Sequence, residues 1–169
     1  MESSQQYFMI TKNNNNIEMY DEYEINDGLN TYTTNESNTN FENGFLVITK
    51  ETISHYIQYG DYIREVSLLY KLDPIQRGYE KTNGYFYAKH ILIGNRYNII
   101  DKSTIYMFNL LDDKDSLFEY ALSHNNIDLL DFLESKSFVV WEDYFDKQRK
   151  KQLSRDVIRW LKKRRCIFE

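Results

Sequence analysis

The side chains most able to do chemistry in this sequence are three histidines and one cysteine. His55, His90 and His124 stand far apart, and none has a second histidine, a cysteine or a carboxylate cluster at a spacing typical of metal ligands. Cys166 lies three residues from the end of the sequence, where a nucleophile has few neighbours to activate it. The sequence therefore predicts no metal site, no cofactor and no cysteine-based catalysis.

Motifs that cradle phosphates or expose a serine nucleophile are absent as well. The sequence contains no GxxxxGK[ST], GxGxxG or GxSxG pattern. The acidic pairs Asp112-Asp113 and Glu142-Asp143 stand in charged segments, which is typical of a solvated surface and not of general acid–base catalysis. We therefore expect a protein that is not an enzyme.

One enzymatic alternative comes from the segment that begins at Gly44. The run GFLVIT, followed by Ser54-His55-Tyr56, resembles the strand and helix that line the nicotinamide pocket of ADP-ribosyltransferases. The family's strand carries a tyrosine where this sequence has Phe45-Leu46-Val47, and the histidine of an earlier family motif has no counterpart here. The resemblance implies, as an alternative function, a degenerate ADP-ribosyltransferase-like enzyme.

Composition indicates a folded protein. The 169 residues include fifteen Tyr, ten Phe and two Trp, whereas disordered chains are poor in aromatic residues. A single cysteine cannot form an internal disulfide, and no run of about 18 apolar residues could span a membrane. The first residues also lack the basic and apolar parts of a secretion signal. We expect a protein of a reducing compartment without membrane contact.

Charge is distributed unevenly along the chain. Residues 147–169 carry ten Lys or Arg against two acids, whereas residues 1–146 carry eleven against twenty-four. The basic segment predicts candidate contacts with nucleic acid or another anion at Lys147, Arg149, Lys150, Lys151, Arg155, Arg159, Lys162, Lys163, Arg164 and Arg165. The same charges could instead pair with the acidic remainder of the chain, so both interpretations stay open.

Hydrophobic periodicity predicts a mixed unit of strands and helices in the first 110 residues. Apolar and aromatic runs of strand length occur at residues 5–12, 44–49, 61–70, 85–94 and 96–100. Residues 50–60 follow a helical period, with Gly60 in the position of a C-terminal capping glycine. Polar loops are expected over 32–43 and over 72–84, which contains the only proline.

The remainder of the chain has helical periodicity. Two short helices are predicted over 115–135 with a joint at 124–126, and a longer helix over 141–165. The longer helix has an apolar stripe at Leu153, Val157, Trp160 and Leu161. The predicted fold class is α+β, with an α+β domain over 1–110 packed on a helical segment over 111–169.

The predicted helix pair resembles a single ankyrin repeat. Residues 116–134 match the repeat pattern at Ser116, Phe118, Ala121, Ile127, Leu129, Leu130, Phe132 and Leu133. The turn glycine of the repeat is Asn125 here, and the Pro and His of its first helix are Leu117 and Glu119. A lone repeat exposes apolar surface on both sides, so we expect the basic helix to cap this pair.

The N-terminal part resembles the leading domain of ankyrin-repeat proteins from mimivirus-type giant viruses. The matching elements, in order, are NDGLN at 26–30, NGFLVIT at 43–49, YGDYIREV at 59–66 and AKHILIGNRY at 88–97. The resemblance implies a viral protein of the host cytoplasm or the virion.

These observations predict a non-catalytic module that binds a host or viral protein. Tyrosine is enriched at recognition surfaces because it combines contact area, rigidity and a polar tip, and fifteen tyrosines exceed what a core of this size needs. Nucleic-acid binding through residues 147–165 is the alternative. The sequence predicts neither the identity of the partner nor the oligomeric state.

Overall fold

An antiparallel sheet followed by helices makes up the part of the chain that the structure describes. This computed structural model describes residues 6–14, 17–20, 23–33, 44–69, 84–137 and 153–164. The chain divides into two compact units, Met1–Leu110 and Leu111–Glu169. The sheet belongs to the first unit and most of the helical residues to the second, so the predicted α+β class is confirmed.

The sheet of the first unit has eight strands within the described residues. They are β1 (Tyr7–Asn14), β2 (Ile17–Tyr20), β3 (Tyr23–Ile25), β4 (Gly28–Thr31), β5 (Phe45–Thr49), β6 (Tyr62–Leu68), β7 (Tyr85–Ala88) and β8 (His90–Asn98). The order is β3-β2-β1-β6-β8-β4, and β5 pairs with β1 and β7 outside this path. Strand β1 pairs with β6 along one edge and with β5 and then β2 along the other.

Both faces of the sheet bury apolar side chains, which explains the uninterrupted apolar runs at residues 7–10 of β1 and 45–48 of β5. One face carries a cluster of buried residues, Met9, Ile25, Phe45, Val47, Val66, Ala88, Ile91 and Ile93. On the other face Phe8 meets Phe108 edge to face, with ring centroids 5.2 Å apart. Phe108 directly follows helix α1 (Lys102–Met107), so this short helix helps to cover the second face.

The helix predicted over residues 50–60 forms as a 3₁₀ helix, η1 (Lys50–Tyr59). Gly60 follows the last residue of this helix, as predicted, but its backbone is extended with φ −172° and not left-handed. A Cβ atom at Gly60 would lie 2.4 Å from the carbonyl oxygen of Thr11. Glycine is therefore required here by the close approach of β1.

The strands predicted at 85–94 and 96–100 form differently. Strand β7 ends at Ala88, and after Lys89 the single strand β8 runs through Asn98. The predicted interruption at residue 95 is therefore wrong. Strand β8 has a β-bulge at Gly94 and Asn95. These two residues of β8 lie opposite the single residue Glu65 of β6. Strands β2, β3 and β4 were not predicted, because their sequence is too polar for a clear alternation.

The predicted pair of short helices in the second unit is confirmed. Helix α2 (Lys114–Ser123) follows a 3₁₀ turn (Leu110–Asp113), and helix α3 (Ile127–Ser135) comes next. The carboxylate of Asp113 caps α2 by accepting the N–H of Ser116 at 3.1 Å. Asn126 caps α3 in the same way, and Asn125 makes the turn between the helices with φ 51°.

The longer predicted helix is present only in part. Helix α4 (Arg155–Lys163) begins after Ser154, which is extended and whose hydroxyl accepts the N–H of Val157 at 3.3 Å. The prediction of a helix is therefore wrong at residues 153 and 154, which are not helical. Residues 141–152 of the predicted helix lie outside the described part of the chain. The predicted apolar stripe is confirmed at Val157, Trp160 and Leu161, which are buried, and Leu153 is half-buried.

The polar loops predicted over 32–43 and 72–84 lie almost entirely outside the described part of the chain, whose gaps include residues 34–43 and 70–83. None of the helices in the described ranges has the length and apolar character that crossing a membrane requires.

Candidate functional site

A polar cleft opens on the first unit beside strands β2, β3, β6 and β8. Its volume is about 480 Å³, a size typical of small-molecule sites. Five charged side chains line it: Glu18, Glu24, Asp27, Arg64 and Arg96. Together they carry three negative and two positive charges, so the walls of the cleft are mostly polar.

The register of the strands brings the two arginines to the same side of the sheet. Arg64 pairs with Arg96 across β6 and β8, and the next described pair is Val66 with Ile93. The bulge in β8 adds one residue between these pairs, so Arg96 and Ile93 share a face although they are three residues apart. Without the bulge, Arg96 and Ile93 would lie on opposite faces of β8.

Glu18 of β2 is the centre of the charged group. Its Oε1 accepts hydrogen bonds from Nη1 of Arg64 at 3.1 Å and from Nη1 of Arg96 at 3.0 Å. Its Oε2 accepts the hydroxyl of Thr11 at 2.9 Å. The side chains of Arg64 and Glu18 are only 4% and 8% exposed, so this ion pair is buried. A charge that has left water needs such partners.

The second partner of Arg64 is Asp27, which lies at the mouth of the cleft. Nη2 of Arg64 donates to the Asp27 carboxylate, but the side chain of Asp27 is 87% exposed. The turn that presents Asp27 is fixed by Asn30, whose amide donates to the carbonyl oxygens of Asn26 and Gly28 at 2.7 and 3.0 Å. Nε of Arg64 is buried and has no hydrogen-bond partner among the described residues.

A second candidate surface is a group of four tyrosines on η1 and β7, here called the tyrosine cluster: Tyr56, Tyr59, Tyr85 and Tyr87. The ring centroids of Tyr56 lie 6.2 Å from those of Tyr59 and of Tyr85, and Tyr85 lies 6.4 Å from Tyr87. Their hydroxyls make no hydrogen bond to another described residue, although phenols that serve the fold usually have a partner.

The surroundings of the tyrosine cluster favour the neutral phenols. Partial burial, followed by the proximity of Tyr85, raises the pKa of Tyr56 above its usual value. Partial burial and Tyr85 raise the pKa of Tyr87 as well. Tyr59 stays 60% exposed. Tyr56 and Tyr87 therefore keep their hydroxyl protons to a higher pH than a free phenol does.

The basic residues that the sequence predicts as nucleic-acid or anion contacts are divided by the structure. Arg155, Arg159, Lys162 and Lys163 of α4 are exposed, and Arg159 pairs with Asp156 at 3.1 Å. The remaining candidates, Lys147, Arg149, Lys150, Lys151 and Arg165, lie outside the described part of the chain.

Arg164 differs from the other predicted contacts because it is engaged within its own unit. Its Nη2 lies 2.9 Å from Asp131 and 2.6 Å from Glu134, and its Nε donates to Glu134 at 2.7 Å. The guanidinium also lies 4.0 Å from the ring centroid of Trp160. Arg164 thus holds α4 to α3 and is not available for an external phosphate in this conformation.

The histidines lie in three separate places. His55 is exposed on η1, His90 of β8 is 3.2 Å from the hydroxyl of Thr31, and His124 stacks on Tyr120 at 4.0 Å. Within the described ranges, no group of three or more His, Cys, Asp or Glu side chains is placed to hold a metal ion.

Sequence reasoning did not single out Glu18, Asp27, Arg64 or Arg96. The available signal was an arginine in the middle of the predicted strand 61–70, where a charge on a buried strand needs a partner. Asp27, Arg64 and Arg96 belong to three separate segments of the sequence, which meet at the cleft.

Comparison with known proteins adds no relative: no protein family, no curated protein and no solved structure matches this chain.

Proposed function

We propose that this protein is a non-catalytic interaction module that binds a protein partner through the tyrosine cluster. The observation that carries the proposal is the group of four neighbouring rings whose hydroxyls make no hydrogen bond within the described structure. Tyrosine is a preferred residue of recognition surfaces because a rigid ring contributes contact area and its hydroxyl contributes a hydrogen bond.

The position of the cluster suits an extended partner segment. Tyr85 and Tyr87 lie on β7, which pairs only with β5 among the described strands. An extended segment that pairs with the outer edge of β7 would gain main-chain hydrogen bonds, while the tyrosines contact its side chains.

The charged groups of the cleft support a role in recognition and not in catalysis. Glu18, Arg64 and Arg96 bind one another, an arrangement that stabilises their charges instead of preparing one of them for proton transfer. Following the resemblances stated for the sequence, we propose a viral protein whose partner is a host or viral protein and whose helix pair is ankyrin-like.

The test compares capture by the full chain with capture by two matched single variants. Tyr59→Ala removes an exposed ring of the cluster, and Tyr106→Ala removes a ring of similar exposure on α1, 51% against 60%. Proteins from extracts of cells that express the chain are identified by mass spectrometry after nuclease treatment. The proposal expects at least one partner that Tyr59→Ala loses and Tyr106→Ala retains.

A second measurement separates ring contact from hydroxyl contact. The combined replacement of Tyr56, Tyr85 and Tyr87 by Phe keeps three rings and removes their hydroxyls, so it should weaken capture of the same partner without unfolding the unit. If both alanine variants retain the same proteins as the unaltered chain, the tyrosine cluster is not the binding surface.

The exposed cations of α4 favour nucleic-acid binding as a second candidate function. Arg155, Lys162 and Lys163 are exposed and make no ion pair within the described residues. Binding to a labelled oligonucleotide should then weaken steeply with salt, and Lys162→Glu with Lys163→Glu should flatten that salt dependence. Equal salt dependence in both proteins would remove α4 from consideration.

A further inference from the structure

We propose that the charged cleft of the first unit binds a small carboxylate with an apolar body, and that Arg96 makes the principal contact. This site is separate from the tyrosine cluster, because none of the four tyrosines lines the cleft. The proposal therefore stands independently of the function proposed above.

Arg96 is held with one edge of its guanidinium unoccupied. Its Nη1 donates to Glu18 at 3.0 Å, and the guanidinium lies over the ring of Tyr62 with 4.8 Å to the centroid. Nε and Nη2 have no partner among the described residues, and the side chain is 51% exposed. These two donors form the edge that binds the two oxygens of a carboxylate side by side.

Close to Arg96 the cleft has two cations but only one buried carboxylate among the described residues. Arg64 and Arg96 share a single buried carboxylate, that of Glu18. The other carboxylate on Arg64 belongs to Asp27, which is 87% exposed and compensates the charge only weakly. The unpartnered Nε of Arg64, which is 4% exposed, indicates the same shortage of acceptors in this part of the cleft.

The remaining walls of the cleft decide which anion fits. Ile17, which is 45% exposed, is the accessible apolar residue of the lining, since Ile25 is buried in the sheet. Glu24 and Asp27 place negative charge near its opening, which disfavours a phosphate dianion more than a monocarboxylate. The combination suits a monoanion whose carboxylate meets Arg96 and whose hydrocarbon part covers Ile17.

The test is a titration of the isotope-labelled full chain, followed by nuclear magnetic resonance at constant ionic strength. Sodium butyrate replaces sodium chloride, and the readouts are the side-chain Nε–H of Arg96 and the backbone amides of Gly94 and Asn95, which line the cleft. We expect saturable shifts of these signals with butyrate, and weaker binding of acetate because it lacks the two buried methylenes. Sodium phosphate is titrated as the comparison anion.

Two variants test the roles of the named residues. Arg96→Lys keeps the positive charge but lacks the two-donor edge, and it should weaken butyrate binding about tenfold or more. Asp27→Asn removes a competing carboxylate and should tighten butyrate binding about two- to fivefold. Because Asp27 is exposed, this second variant keeps the proposal testable even if the lysine variant fails to fold.

The proposal is overturned by any of three results. These are the absence of saturable shifts with butyrate, tighter binding of phosphate than of butyrate, and weaker butyrate binding in Asp27→Asn. Arg159→Lys, a change of an exposed arginine on α4, is the control and should leave butyrate binding unchanged.

Discussion

Each unit of this protein contains an arginine held by two carboxylates, but the two groups differ in their exposure to water. In the sheet unit, Arg64 and its partner Glu18 are both buried. In the helical unit, Arg164 binds Asp131 and Glu134 at the surface, where both carboxylates are about half exposed. Similar contacts therefore have different consequences: removing a partner from the buried group leaves a charge without water, whereas water replaces the partner in the exposed group.

The units also differ in what surrounds the arginine. Arg164 covers Trp160, whose indole N–H donates to Asp131 at 2.7 Å, so apolar burial holds α4 in place and the charges add to it. Arg64 joins β6 to β2 through Glu18, and to the turn before β4 through Asp27. We therefore expect packing to dominate the stability of the helical unit, and the charged group to contribute much of the stability of the sheet near the cleft.

The largest effect is expected from Trp160→Ala. The ring is buried, so its removal should lower the free energy of unfolding of the helical unit by about 3–5 kcal/mol. Urea unfolding followed by far-ultraviolet circular dichroism measures this loss. Trp160→Phe is the control, since it keeps most of the buried ring and should cost about 1 kcal/mol for the hydrogen bond to Asp131. An unchanged transition in the alanine variant would contradict the buried position of this ring.

Arg64→Met should have the next largest effect, in the sheet unit. It leaves Glu18 buried with Thr11 and Arg96 as partners, so we expect a loss of about 3 kcal/mol, the lower end of the range for a broken buried pair. Hydrogen exchange of the backbone amides of β1 and β6 measures this loss in the free energy of unfolding. A loss below about 1 kcal/mol would show that the buried group behaves like a surface ion pair.

Arg164→Met sharpens the same comparison in the helical unit. The methionine can still cover Trp160, so only the exposed ion pairs are lost, and the expected cost is about 1 kcal/mol. Tryptophan fluorescence reports this unit, because both tryptophans of the sequence belong to it. The cost should shrink at high salt, whereas that of Arg64→Met should persist, because salt screens exposed charges more than buried ones. Equal salt sensitivity of the two variants would remove the distinction between the groups.

The smallest expected effect is a loss of stability of the sheet unit at alkaline pH. A hydrogen bond from the Tyr97 hydroxyl to Glu65, 2.6 Å long, raises the pKa of Tyr97, and burial raises the pKa values of Tyr56 and Tyr87. A pKa that folding raises contributes stability below the unfolded value near 10, and this contribution is lost as the pH rises through the folded value.

The sheet unit should therefore lose stability above about pH 10, and Tyr97→Phe should reduce that loss. Phenolate absorbance and hydrogen exchange, both measured on either side of this pH, test the expectation. A loss of the same size in Tyr97→Phe would mean that the hydrogen bond to Glu65 does not cause it.

Predictions from the sequence succeeded where local burial alone sets the pattern. The stripe Val157, Trp160 and Leu161 repeats with the helical period, and the turn at 124–126 has an asparagine that caps the next helix. The apolar runs that became β1, β5 and β6 were equally clear. In each case a few neighbouring residues contain the information, so no tertiary partner is needed to interpret it.

The candidate cleft could not be predicted in this way. Glu18 is 46 residues from Arg64 and 78 residues from Arg96, and its strand, β2, has only four residues. Only the pairing of β2 with β1, and of β1 with β6, brings the first two together. Arg96 joins them because a bulge at Gly94 and Asn95 shifts the alternation of β8 by one residue.

The sequence by itself determined the α+β class, the helix pair and the apolar face of α4, because periodic burial is a local property of the chain. Only the tertiary structure shows that residue 60 must be a glycine. It also decides that Arg64 is buried and that Arg96 lies beside it at the cleft. These features depend on contacts between distant strands, such as the approach of the Thr11 carbonyl to Gly60. A single change of register would move each of these side chains to the opposite face of the sheet, and hydrophobic periodicity does not specify register between polar strands.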